Sequence, residues 1–264
     1  MKLSLYQVDA FSDHVFGGNP AAVVPLESWL PDALMQRIAA ENNLSETTFF
    51  VPVDSDGFHI RWFTPTKEVA LCGHATLAAA FVLFQHLQWQ APFVEFESLS
   101  GPLRVTRYDD LFELDFPAQP GELCDAPERL CQAIGRMPEL CLRSEDYLVV
   151  LPTEQDVISL QPDFRLLQEL EGRGVAVTAP GDSVDFVTRF FAPKYGIDED
   201  PVTGSLYTQL TPYWAQRLNR SRLRARQLSA RQGEIGCQLQ GDRVLISGRA
   251  ALYLVGSVVV PDEA

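Results

Sequence analysis

Several classes of protein are excluded by what this sequence does not contain. It has no C-x-x-C pair, and its five cysteines, Cys72, Cys124, Cys131, Cys141 and Cys237, are odd in number and loosely spaced. A disulfide framework is not expected, nor a zinc cluster of cysteine and histidine, and a reducing compartment follows. No apolar run is long enough to span a bilayer. The first residues, MKLSLYQVDAF, alternate apolar and polar groups where a signal peptide has an apolar stretch, so a soluble cytoplasmic protein is expected. Basic residues are few, 21 against 35 acidic, for a formal net charge of −14 at pH 7. Such a chain repels phosphate backbones and anionic lipid, which argues against nucleic-acid and membrane partners. G-x-G-x-x-G, Walker and G-x-S-x-G motifs are missing, and no cofactor or metal is implied.

What is there is an ordinary globular composition, 46% hydrophobic and 21% charged in 264 residues, enough for one large domain or two of common size. Strand patterns alternate with occasional helices. Strands are read at 47–53, 58–63, 93–96, 103–108, 111–116, 146–151, 174–179, 186–191, 222–228, 234–239, 243–247 and 251–260. Helices are read at 31–42, 75–87, 127–135, 164–170 and from Ser205 onward. Pro117 to Cys124, with two prolines and a glycine, reads as a linker. The arginines at 217, 220, 222, 224 and 226, broken by leucines, read as a solvated face. This order points to α+β and away from a doubly wound sheet.

A repeat carries the domain reading. Arg61-Trp62-Phe63-Thr64-Pro65 returns as Arg189-Phe190-Phe191-Ala192-Pro193, 128 residues later. Each copy runs through a loop into a small-residue turn and an apolar helix. The turns are Cys72-Gly73-His74 and Thr203-Gly204-Ser205, 131 residues apart, so the second loop is three residues longer. Two similarly built halves are inferred, 1–116 with 251–264 and 117–250.

Two such turns before helices, brought together across a cleft, would offer unpaired N–H groups near Gly73, His74, Gly204 and Ser205 to a carboxylate or a developing enolate. Glycine allows the close approach. Proton abstraction beside a carboxylate also needs an acid/base, and Glu46, in Ser45-Glu46-Thr47, is the strongest candidate. Partial burial by a closing cleft would raise its pKa toward neutrality. Its bland alternative is a local cap or pair. His74 is a candidate at the anion seat against a purely structural histidine. Asp200 is a candidate partner for a polar substrate group against a turn aspartate before Pro201. Asn19, in FGGNP, is a turn residue by type and a substrate-binding candidate by place. Cys72 reads as a small buried residue in preference to the alternative of a thiol base. A two-thiol racemase would want a second cysteine at Thr203.

The stretches VDAF with GGNPAAVV, SETTFF, RWFTPTKEVALCGHATLA and FFAPKYGIDEDPVTGS together resemble the PhzF-like family of phenazine-biosynthesis isomerases. They run from Val8 to Ser205 in family order. The resemblance implies the diaminopimelate-epimerase-like fold, two pseudo-symmetric halves, each a curved, mostly antiparallel sheet around a central helix. It also implies that the last strand, 251–264, returns to the first half. It carries the family's acid/base glutamate onto Glu46, its histidine onto His74, its aspartate onto Asp200, its serine onto Ser205 and its turn glycines onto Gly73 and Gly204. Leu206 stands where the family often has alanine. By resemblance the protein is a cofactor-independent isomerase, a homodimer, acting on a small carboxylate-bearing substrate. The best-known member shifts a proton along the ring of dihydro-3-hydroxyanthranilate. A non-catalytic binder on the same fold and a racemase or epimerase are the alternatives.

Overall fold

The strand patterns fold as two units, Met1–Asp115 with Ser247–Ala264, and Phe116–Ile246. The computed structural model describes residues 1–53 and 57–260, so the last four residues of the expected closing segment lie outside the described residues. The first unit runs β1 (Lys2–Ala10), β2 (Asn19–Pro25), α1 (Asp32–Asn42), β3 (Glu46–Val53), β4 (Gly57–Phe63), β5 (Glu68–Val69), α2 (Gly73–Gln85), β6 (Phe93–Ser98), β7 (Gly101–Tyr108) and β8 (Leu111–Pro117). The second runs β9 (Glu122–Leu123), α3 (Glu128–Ile134), β10 (Leu140–Arg143), β11 (Tyr147–Val150), α4 (Glu154–Ile158), α5 (Phe164–Gln168), β12 (Val175–Pro180), β13 (Phe186–Ala192), β14 (Ile197–Asp200), α6 (Tyr207–Leu218), β15 (Arg222–Gln227), β16 (Gly233–Gln240) and β17 (Arg243–Gly248). β18 (Ala250–Val259) pairs antiparallel with β1 in the first unit.

The pairing repeats from one unit to the other. β1–β2 is antiparallel, β2–β3 parallel, β3–β4 and β4–β5 antiparallel, β4–β6 parallel and β6–β7 antiparallel. β10–β11, β11–β12, β12–β13, β13–β14, β13–β15 and β15–β16 follow in the same order with the same directions. The chain is α+β, with two similarly connected halves. In the first, α2 packs on β1, β2, β3, β7 and β18. Eleven of its thirteen residues are buried, which is why its sequence is apolar on every side rather than along one stripe. In the second, α6 packs on β15 and β16. Pro212 inside α6 has no N–H for the carbonyl of Thr208, and Gln119 N donates to that oxygen instead at 3.0 Å.

Element bounds depart from the sequence expectation where the chain uses turns. α2 begins at Gly73, two residues before the expected Ala75, because Cys72 is extended and its carbonyl already accepts from Thr76 N. The helix expected from Ser205 begins at Tyr207, after a 3₁₀ turn over Gly204–Leu206. The expected linker holds the two-residue β9, paired with β10. β10, α4 and β14 are short and were not anticipated. The arginine run is a paired, mostly exposed face: Arg220 meets Asp185, Arg222 donates to Gln238 and Arg226 to Glu234.

Candidate active site

In the first unit, strand order and a glycine turn bring four polar side chains to the mouth of α2. Glu46 is the first residue of β3, which runs parallel to β2 with Glu46 level with Ala21. Asn19 begins β2 after the FGG turn. There Gly18 has φ +61°, and a Cβ on it would lie 2.1 Å from the Ala10 carbonyl oxygen. No residue but glycine fits that turn without strain. Asp9, 1% exposed, accepts from Phe16 N at 2.8 Å and ties the turn to β1.

His74, in the first turn of α2, is the hub. Its Nε2 lies 3.1 Å from Glu46 Oε2, with side chains 5% and 13% exposed. The approach is an ion-pair distance off the hydrogen-bond axis, so both atoms keep bonding capacity. On the other ring nitrogen, Asn19 Nδ2 stands at 3.3 Å and Cys72 Sγ at 3.5 Å from Nδ1. Cys72, read from sequence as packing, is buried as expected but touches the histidine. Burial disfavours the imidazolium, yet the contacts with Cys72 and Glu46 outweigh burial and raise His74 well above the usual histidine range. Burial, and then the Glu46 charge, push the Cys72 thiol up to about 11. At neutral pH the sulfur is therefore a thiol.

One oxygen of Glu46, the Cys72 sulfur and one His74 nitrogen lie within 4.8 Å of one another, a spacing within reach of one soft divalent cation. The imidazole stands between the other two, each at its own nitrogen, an arrangement that suits proton traffic along a row. Gly73 and His74 open α2, and its first N–H groups receive no side-chain cap. Those donors and the dipole end favour an anion.

In the second unit, Asp200 ends β14 rather than standing free in a turn, and its Oδ2 accepts from Thr203 Oγ1 at 2.5 Å. Gln227 of β15, fully buried, braces the same turn: its Oε1 accepts from Thr203 N at 3.0 Å, and its Nε2 donates to the Asp200 carbonyl at 2.9 Å. Ser205 Oγ accepts from Arg173 Nη1 at 2.9 Å. Sequence reasoning missed Gln227, Arg173 and the buried Asp146 behind it. Each lies 22 or more residues from the turn it supports, and no local pattern marks it.

The family model described as "Phenazine biosynthesis-like protein" (PhzC-PhzF) matches residues 8–256. A Pseudomonas aeruginosa protein named an uncharacterized isomerase is 52% identical over 258 residues, 98% of this chain and 99% of its own. The crystal structure of a PhzF-family protein from Enterococcus faecalis is 47% identical, with a TM-score of 0.96 over 98% of this chain and all of that one. A hydroxyproline epimerase from Agrobacterium vitis, 12% identical, shares the fold alone, with a TM-score of 0.66 over 99% of this chain and 94% of its own.

Proposed function

The chain belongs to the PhzC-PhzF family of phenazine biosynthesis-like isomerases, and we propose that it moves a proton between two carbons of a small carboxylic acid, with Glu46 as the acid/base. The observation that carries this reading is the mostly buried Glu46 carboxyl group 3.1 Å from the ring of His74, whose pKa is raised. As a carboxylate, Glu46 can take a proton from an acidic C–H. The electron pair left behind delocalises over the unsaturated acid. The Glu46 carboxyl then returns the proton to a second carbon. One C–H bond breaks and one forms, so no oxidant or co-reactant enters the balance.

His74 stabilises the negative charge as it moves from Glu46 to the substrate, and Asn19 and Cys72 hold its ring in place. The N–H groups of Gly73 and His74 are assigned to the oxyanion that develops. In the second unit Gly204 and Ser205 are assigned to carboxylate binding. Asp200 is assigned a positioning part, since Thr203 already donates to it. A non-catalytic binder has no use for a mostly buried carboxyl group set against a histidine.

The test is proton NMR in D₂O with a panel of small unsaturated and amino carboxylic acids. The native protein is expected to introduce deuterium into one of them, and Glu46→Gln to slow that exchange by about 10³-fold or more, the range of a lost general base. No exchange across the panel, or exchange undiminished in Glu46→Gln, overturns the reading.

A further inference from the structure

Arg173 lies in the loop Glu171-Gly172-Arg173-Gly174 that leads into β12, and the chain is shaped to hold it. Gly172 has φ +89°, and a Cβ on Gly174 would strike the Phe190 ring at 2.5 Å. The guanidinium lies 5.3 Å from the centre of that same ring. Beneath it is Asp146, whose side chain is fully buried. Arg173 Nε donates to Asp146 Oδ1 at 3.0 Å and Nη2 to Oδ2 at 2.5 Å. Gln209 Nε2 adds a third bond, to Oδ2, at 3.0 Å.

A buried ion pair adds little net stability over well-packed apolar residues. What this one does is aim the remaining arm of the fork. Nη1 donates to Ser205 Oγ at 2.9 Å. A serine whose oxygen accepts from a cation still has its hydroxyl hydrogen to donate. Among the described residues, no group accepts that hydrogen. A hydroxyl polarised by a guanidinium is a strengthened donor, which suits a carboxylate oxygen.

We propose that Arg173 is a positioning residue, which through Ser205 sets the affinity of this protein for the carboxylate group of its substrate. Asp146 and Gln209 hold the arginine, the arginine holds the serine, and the serine meets the ligand. The proposal rests on the reading above that the substrate is a carboxylic acid, and its test separates the two.

Binding is titrated by NMR with a panel of small carboxylates that includes 2-aminobenzoate, in the native protein, Arg173→Lys, Ser205→Ala and the double variant. Arg173→Lys keeps a positive charge against Asp146 but loses the fork, and Ser205→Ala leaves the ion pair intact. Thermal unfolding checks that each is folded. Each single variant is expected to weaken carboxylate binding by about tenfold or more, the worth of one charge-assisted hydrogen bond. The double variant is expected to bind no worse than the weaker single, because both remove the same contact. Where exchange is measurable, KM rises while kcat stays nearly unchanged. Native-like binding in Arg173→Lys, effects that multiply in the double variant, or no carboxylate bound by the native protein each overturn the proposal. Glu46-dependent exchange with an Arg173-independent affinity rejects this proposal and keeps the isomerase. Arg173-dependent binding with no exchange rejects the isomerase and keeps the carboxylate site.

Discussion

A histidine in the first turn of a helix meets the positive end of the helix dipole, which disfavours an imidazolium, and burial disfavours it further. His74 is raised well above 6.5 nonetheless, through its contacts with Cys72 at one ring nitrogen and Glu46 at the other. The linkage has a definite sign. A group raised in the folded state stabilises it fully below its unfolded pKa, about 6.5 for histidine, and that stabilisation is lost as pH rises through the folded value. The Tm advantage of the native protein over Glu46→Gln is therefore expected to be full near pH 6 and to shrink as the solution turns alkaline. The His74 ring protons, followed by NMR, should titrate at lower pH in Glu46→Gln than in the native protein. Identical titrations in the two proteins would remove Glu46 as the source of the shift. At this scale the sequence names Glu46 and His74 because local motifs hold them. It leaves Cys72 ambiguous because Cys-Gly-His alone does not say which way the sulfur points. Arg173 and Gln227 stay invisible because the chain returns to the turn from a distance.

The apolar run after residue 74 announces α2 but not its first residue. Helix starts are usually marked by a capping side chain, and here Cys72 makes no side-chain cap. The same uncapped start is the one proposed above as the oxyanion seat, so the feature that blurs the boundary is also the one the proposal draws on. The FGGNP turn works the other way: its glycines are plain in the sequence, and the structure supplies the reason. Gly18 turns left-handed beneath the Ala10 carbonyl so that Asn19 enters β2 against His74. Gly18→Ala is accordingly expected to cost about 2 kcal/mol or more, from left-handed strain together with the clash, and to lower Tm by several degrees. Calorimetry of the purified variant is the check, and a Tm equal to the native one would mean that the turn can be rebuilt without loss. Short elements such as β10, α4 and β14 escape the sequence because four or five residues carry too little periodicity to stand out.

Across the whole chain the repeat goes deeper than the five residues that reveal it. Arg61 of β4 grips Glu68 of β5 through Nε and Nη2, both at 2.7 Å. Arg189 of β13 grips Glu199 of β14 in the same way at 2.7 and 2.9 Å. Glu68 and Glu199 are 131 residues apart, the offset of the two glycine turns, so the fork and the turn travel together in each half. Each arginine also lies over the phenylalanine two residues on, Phe63 at 5.2 Å and Phe191 at 5.0 Å. Sequence similarity reaches the arginine and the aromatic but not the glutamate, because the loop between differs in length and hides the alignment. The two forks differ in their surroundings. Arg61 keeps a second carboxylate, Asp32, at 2.8 Å if Glu68 is lost. Arg189 is more buried, 12% exposed against 21%, and has only the carbonyls of Val157 and Leu160 to fall back on among its bonded partners. A charge left with fewer partners in a drier place costs more. Glu199→Gln is expected to cost about 2 kcal/mol and several degrees of Tm, and Glu68→Gln clearly less. Equal losses, or a larger loss for Glu68→Gln, would show that burial of the arginine does not set the strength of the fork. With the predicted order, the two halves share one device whose strength each half's own packing decides.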